Sequence, residues 1–255
     1  MHAPLPATCG CTVSTETGLN LFEWGLERSR LKAVRIERRM NISIIGPSGV
    51  GKGTQVDRMV VRFDLMPISL GDLFKRNIKE QSGLGLLAQR YVSRGELVPD
   101  EVVDAMFEAW LRVSLGQQGV VLDGFPRTLN QAQFLDSLFS QLGRELNAVI
   151  YLRAPEDEIV TRLSGQKICR ECKLPFPANA PFETCPFNKC SGEHLFRPEE
   201  YEPDAIRVRF AVFERTVGPV VQHYRKAGKL VELDAVGEVE DVAKGLVAAV
   251  NGVGP

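Results

Sequence analysis

No apolar run in the 255-residue sequence approaches the ~20 residues that a membrane-spanning helix needs. Charge of one sign is also missing. The 31 Lys and Arg residues face 32 Asp and Glu, for a net charge of −1. Such a balance excludes a global attraction to nucleic acid or membrane, so any anion site must be built locally. Six cysteines are too few for a disulfide scaffold in a chain of this length, and their spacing matters more than their number. Internal repeats and low-complexity tracts are absent, and the N-terminus lacks the apolar core of a secretory signal. What remains is an ordinary globular mixture of 44% hydrophobic and 25% charged residues. This composition rules out a disordered, collagen-like or coiled-coil chain. The length fits one large α/β domain carrying insertions.

Residues 1–39 differ from the rest. Pro4, Pro6, Cys9, Cys11 and scattered Ser and Thr residues show no periodicity, and 21–39 reads as a short basic amphipathic helix ending in Arg38-Arg39. The stretch is either a dispensable extension ahead of Met40 or a targeting peptide. Glu16, Glu23, Glu27 and Glu37 count against the second reading, because organellar transit peptides are poor in acid. From Met40 onward, short Val/Ile/Leu-rich runs at 42–45, 67–69, 120–122, 149–152 and 230–233 alternate with helical patterns such as 100–115 and 204–226. Runs apolar on both faces are what a parallel sheet covered on both sides requires. The alternation predicts a doubly wound parallel sheet, with ligands beyond the carboxyl ends of its strands. Residues 165–203, with four cysteines and six prolines, break the alternation and read as an insertion with its own stabilising device.

The first strand runs into Gly46-Pro47-Ser48-Gly49-Val50-Gly51-Lys52-Gly53-Thr54, followed by Gln55 and a helical pattern. Glycines let the backbone take positive φ and approach a ligand closely. Consecutive amides and a helix N-terminus then point at one spot, which suits a polyphosphate, while Lys52 adds mobile charge for the β- and γ-phosphates. The strict phosphate-loop pattern has Ser or Thr directly after the lysine; here Gly53 intervenes. Gly-Lys-Gly-Thr-Gln is the form used by nucleoside monophosphate kinases, and at this point the sequence resembles the adenylate kinases.

The third strand ends in Leu122-Asp123-Gly124-Phe125-Pro126-Arg127-Thr128. Asp123 can hold water around magnesium beside the phosphate loop, Gly124 lets a ligand lie on the backbone, and Arg127 can grip a phosphate with two parallel bonds. Asp-Gly-Phe-Pro-Arg is similar to an adenylate kinase signature. The resemblance implies that Gln131 reads the adenine of AMP. It also places Ser69-Leu70-Gly71-Asp72, with Lys75, and the segment Gly95-Glu96-Leu97-Val98-Pro99-Asp100 around the acceptor nucleotide, with Asp72 near the metal. Gly124, Phe125 and Pro126 join Leu70, Lys75, Glu96, Leu97 and Val98 as implied AMP contacts. Leu97 and Val98 read equally well as plain core.

Cys169 and Cys172 have two residues between them, and Cys185 and Cys190 have four. Such pairs match a tetrahedral zinc site that closes a loop lacking a core, with His194 as a possible substitute ligand. Two disulfides or plain thiols are the alternative, disfavoured in a cytosolic compartment. Four protein ligands leave no open position, so such a zinc is structural. Adenylate kinases with zinc lids follow this plan, usually with a closer second pair and a longer central gap. Cys9 and Cys11 have no assigned partner.

Phosphoryl transfer between two nucleotides gathers negative charge, so positioning and cations carry it. The attacking phosphate oxygen is already ionised and needs no general base. The resemblance implies that Gly49, Val50, Gly51, Lys52, Gly53, Thr54, Arg162, Gln166 and Gly237 contact ATP, with Arg162 stacked on the donor adenine. It further implies that Arg197 and Arg209 reach the phosphates of both nucleotides, and leaves Arg207 as an alternative to Arg209. Glu199 and Glu200 stand where the family carries a paired-aspartate hinge. Three positions depart from the family pattern: Leu70 replaces a threonine, Lys75 an arginine, and Gln166 a catalytic arginine. The implied protein is a P-loop α/β kinase with a five-stranded parallel sheet, running from 40 to 252. Its core would comprise 40–68, 99–164 and 204–252, with an acceptor-binding insert at 69–98 and a zinc lid at 165–203. It would convert ATP and AMP to two ADP with magnesium, as a cytoplasmic monomer without nucleic-acid or membrane partners. A kinase of altered acceptor specificity, or a nucleotide-binding protein with little turnover, remains as an alternative.

Overall fold

A computed structural model describes residues 40–92, 98–114, 118–172, 174–177, 180–186 and 195–252. The extension 1–39, with Cys9 and Cys11, lies outside the described residues, as do Glu96, Leu97, Cys190 and His194. Five parallel strands form the central sheet: β1 (Asn41–Ile45), β2 (Met66–Ser69), β3 (Val120–Asp123), β4 (Ala148–Arg153) and, following two short strands in the chain, β7 (Leu230–Asp234). Their spatial order is β2-β3-β1-β4-β7. Because successive side chains point to opposite faces, Ile42, Ile44, Val121, Ile150 and Leu152 enter one core cluster. Ile45, Val120, Leu122, Val149 and Tyr151 enter the other. This two-sided burial is why β1, β3 and β4 read as continuous apolar runs, whereas the edge strands β2 and β7 are only partly covered.

Helices cover both faces. On the first lie α1 (Lys52–Phe63), α6 (Glu156–Ser164) and α8 (Val239–Gly252), through Val56 and Met59, Ile159 and Leu163, and Leu246 and Val250. On the second lie α4 (Asp100–Ser114) and α5 (Leu129–Gln141), through Phe107 and Leu111, and Leu135 and Phe139. The long helix α7 (Pro203–Lys226) reaches both clusters, with Ile206 in one and Val217, Val220 and Tyr224 in the other. The remaining helices, α2 (Leu70–Lys79) and α3 (Gly83–Val92), follow β2. In the segment between α6 and α7, β5 (Lys167–Ile168) pairs antiparallel with β6 (Pro175–Phe176), and Ile168 bridges Phe196. A small separate cluster of Cys169, Phe176 and Cys185 fills this segment, with Phe182 packed edge-on to Phe176 at 5.3 Å. Among the described residues no helix is long and apolar enough to cross a membrane.

Candidate active site

The loop after β1 is shaped by close packing. Gly49 and Gly51 adopt φ of 86° and 99°, in the left-handed region that glycine enters freely. A Cβ on Gly49 would fall 2.5 Å from Leu163 Cγ, so only glycine fits against α6 there. Gly51 caps α1 with no side-chain hydrogen bond, and the first turn carries no acid. The first amides of α1 are therefore left for an external anion. Lys52 Nζ donates to the carbonyls of Gly46 and Pro47, both at 2.9 Å, holding the ammonium over the loop.

Asp123 ends β3 directly beside this loop: it pairs in register with Ile44, and Gly124 N donates to Ile44 O at 2.9 Å. Gly124 has φ 70°, and a methyl group there would lie 3.6 Å from both Lys52 Cε and Arg127 Nη2. Ser43, buried in β1, fixes the following turn by donating to Phe125 O at 2.6 Å. Arg127 Nε donates to Gly124 O at 3.0 Å, folding the guanidinium back over the turn. Arg209 Nη2 donates to Ser48 Oγ at 2.9 Å, which brings α7 to the phosphate loop. Arg207 instead pairs with Glu156 and Asp157 of α6 at 2.9 and 3.4 Å. Asp123, Arg127 and Arg209 thus gather around Lys52. Burial pushes the Lys52 ammonium down to about 8, Asp123 opposes that shift, and the two arginines reinforce it. Burial likewise raises the Asp123 carboxyl, while Lys52 and Arg127 pull it back.

On the donor side, Arg162 is held by its edge. It donates to Val50 O at 3.4 Å, to Ala235 O at 2.8 Å and to Glu158 Oε1 at 2.7 Å. Gly237, with φ 105°, turns the chain between β7 and α8. Thr54 and Gly53 are exposed in the first turn of α1, and Val50 is buried beneath the loop. Arg197 is turned toward the start of α7, bonding Tyr201 O at 3.2 Å and Glu202 at 3.3 Å. Gln166 is half-buried just after α6, its N–H on Leu163 O at 3.0 Å.

On the acceptor side the residues divide. Asp72 and Lys75 are exposed and pair with each other at 3.0 Å. Leu70, only 3% exposed, packs in the main core cluster, and Val98 packs partly buried beside it. Pro126 and Phe125 are buried, and Phe125 stacks on Phe107 at 4.6 Å. Gln131 is 4% exposed and hydrogen-bonded at both ends of its amide. Its Oε1 accepts from Arg127 N at 2.7 Å, and its Nε2 donates to Asp100 Oδ1 at 2.6 Å. Asp100 Oδ2 accepts from Thr128 Oγ1 at 2.7 Å. The sequence places Ser48 in the phosphate loop and Asp100 in the acceptor segment, but does not show their pairing with Arg209 and Gln131. Each acts on a residue 161 or 31 positions away, and no local pattern encodes such a pairing.

Cys169, Cys172 and Cys185 bring their Sγ atoms within 4.8 Å of one another. Cys172 and Cys185 are 3.7 Å apart, far beyond the ~2.05 Å of a disulfide. Thiolates around a tetrahedral zinc, each ~2.3 Å from the metal, stand about 3.8 Å apart. The donor set and its spacing fit zinc.

A family model described as adenylate kinase matches residues 44–229. The chain is 40% identical over 213 residues to the adenylate kinase of Gemmatimonas aurantiaca, covering 83% of this chain and 99% of the relative. It is 36% identical to that of Dehalococcoides mccartyi, over 83% of this chain and 98% of the relative. It is also 37% identical to that of Streptomyces coelicolor, over 83% and 99%. With that family model spanning residues 44–229 and relatives 36–40% identical along nearly their whole length, the chain belongs to the adenylate kinase family.

Proposed function

We propose a division of labour among these residues in the reaction of the family, the reversible transfer of the γ-phosphoryl group of ATP to AMP that yields two ADP. An oxygen of the AMP phosphate attacks the γ-phosphorus as the bond from the γ-phosphorus to the β–γ bridging oxygen breaks. Charge spreads over the three transferring oxygens, and cations placed in advance stabilise it. Lys52 serves the β- and γ-phosphates, Arg127 the acceptor phosphate, and Arg209 the phosphates over Ser48. Arg197 joins them by exchanging its contacts with Tyr201 and Glu202 for phosphate oxygens. The edge bonds of Arg162 fix its plane and leave its face for the donor adenine, while Gly49–Thr54 wrap the phosphates and Gly237 borders the base.

Lys75 reaches the acceptor phosphate by leaving Asp72. That pair is solvent-exposed, and exposed pairs contribute only about 0–1 kcal/mol. Leu70, Val98, Gly124, Phe125, Pro126 and Gln131 shape the acceptor pocket, with Glu96 and Leu97 assigned to its rim. Magnesium, arriving with ATP, neutralises phosphate charge, and Asp123 and Asp72 would hold it through its water shell. Cys169, Cys172 and Cys185, completed by Cys190, would hold a structural zinc. Residues 69–98 and 165–203 act as inserts that close over the core made by 40–68, 99–164 and 204–252. Closure excludes water, which would otherwise accept the phosphoryl group. The protein works as a cytoplasmic monomer on small molecules.

The observation that carries this reading is the gathering of Asp123, Arg127 and Arg209 around Lys52 at the phosphate loop. A coupled assay of ADP formation with ATP and each of AMP, UMP, CMP and GMP tests it. AMP is expected to be the fastest acceptor, and faster turnover of any other monophosphate overturns the assignment.

A further inference from the structure

The carboxylate of Asp100 sits at the start of α4 and is shared between two side chains of the acceptor turn. Its Oδ1 accepts from Gln131 Nε2 at 2.6 Å, and its Oδ2 from Thr128 Oγ1 at 2.7 Å. On the other side of the same amide, Gln131 Oε1 accepts from the backbone N–H of Arg127 at 2.7 Å. A carboxylate only accepts and a backbone N–H only donates. These two neighbours therefore dictate which way round the buried amide of Gln131 lies. Turning it over would set its oxygen against a carboxylate and its NH2 against an N–H. Buried polar groups left without partners are costly to keep. In the fixed orientation the amide retains one N–H and one lone pair.

We infer that Asp100 is a positioning residue that sets acceptor-base specificity by locking the donor and acceptor order of the Gln131 amide. The inference rests on the proposed reading that Gln131 contacts the acceptor base. Adenine offers an acceptor at N1 and a donor at its 6-amino group, which matches one N–H and one lone pair. Hypoxanthine offers the reverse, N1–H and a 6-oxo acceptor, and needs the amide turned over. A site built around one hydrogen-bond order rejects the reversed order strongly, because its buried groups are left unpaired. Asp100 thus acts against the wrong base without touching it.

The test compares kcat/KM for AMP and for inosine monophosphate. Asp100→Asn keeps the shape but supplies a donor as well as an acceptor, so the amide of Gln131 finds a partner at that end in either orientation and only the Arg127 N–H still holds its order. The expected result is a fall of about 10- to 100-fold in the AMP-over-IMP preference, with the KM for ATP unchanged. In a Gln131→Ala background the same substitution is expected to leave the ratio where Gln131→Ala alone puts it. A role confined to starting α4 would lower thermal stability and scale both substrates alike, and that outcome overturns the inference. If Gln131→Ala collapses the preference but Asp100→Asn does not, the positioning role fails while the base reading stands. If Gln131→Ala leaves the preference intact, both fail. A measurement on the unaltered protein covers the case of a poorly folded variant. The side-chain NH2 resonances of Gln131, identified by their loss in Gln131→Ala, are expected to be protected from solvent exchange. Exchange at the rate of an exposed glutamine overturns the lock.

Discussion

Arg209 Nη2 lies 2.9 Å from Ser48 Oγ, so a guanidinium of α7 rests on the phosphate loop. Arg207, two residues earlier, is exposed and tied to Glu156 and Asp157. Removing a preorganised cation from a phosphoryl-transfer site costs on the order of 10²–10³ in rate. Arg209→Ala is expected to lower kcat/KM by about that factor, and Arg207→Ala by about threefold or less. Steady-state kinetics of the two purified variants decide, and a larger loss in Arg207→Ala would reverse the assignment.

The two arginines were not separable in the sequence. At 3.6 residues per turn, positions 207 and 209 point about 200° apart on a helix, so only one of them can face the loop. Which one does depends on how α7 is rotated, and that is set by Ile206 in one core cluster and Val217 and Val220 in the other. The strands, by contrast, were legible to within about two residues. Ile42, Ile44 and Ile45, for example, are buried on both faces of β1, and burial of that kind writes itself into composition. The two-residue strands β5 and β6 left no such mark, because their pairing is fixed by the bridge from Ile168 to Phe196 and by the thiol cluster. The phosphate loop and the Asp123–Arg127 turn could be read because each is contiguous. Asp100 beneath Gln131 could not, because that pairing exists only after α4 and α5 have packed.

Lys52 supplies a pH dependence with a definite sign. In the free protein its ammonium is held down to about 8, chiefly by burial. Bound polyphosphate favours the charged form and raises that value, so nucleotide binding takes up a proton above pH 8. The dissociation constant of ATP is expected to weaken about tenfold between pH 7.5 and 9.5, with proton uptake visible by calorimetry in two buffers at pH 9. A pH-independent constant, or proton release, contradicts the assignment of Lys52 to the phosphates.

The resemblance sets Gln166 against a catalytic arginine of the family, and the residue is half-buried just after α6. On that reading, a guanidinium there would add a cation to the transferring oxygens. Gln166→Arg is expected to raise kcat by about tenfold, which is ~1.4 kcal/mol of barrier. An unchanged or lower turnover in a well-folded variant rejects the idea that the site works with one cation fewer.

The thiols of Cys169, Cys172 and Cys185 predict about one zinc per chain by metal analysis. Cobalt substitution is expected to give the visible spectrum of a tetrahedral thiolate site. Chelation is expected to lower the melting temperature by several degrees and to expose 165–203 to protease, since among its described residues the buried cluster is centred on Cys169, Cys185 and Phe176. A protein isolated without zinc that keeps its melting temperature in chelator would remove the metal from the account.

Gly49 and Leu163 touch closely enough that the loop has no room for a Cβ between them. Leu163 is the penultimate residue of α6, and the cysteine-bearing segment leaves the core immediately after that helix. The fulcrum for any swing of that segment therefore bears directly on the phosphate cradle. Rotation about a point so near the cradle would displace residues farther along the segment through a longer arc than the loop itself. Lever-arm geometry alone would then let the segment swing while the glycine loop stays in place.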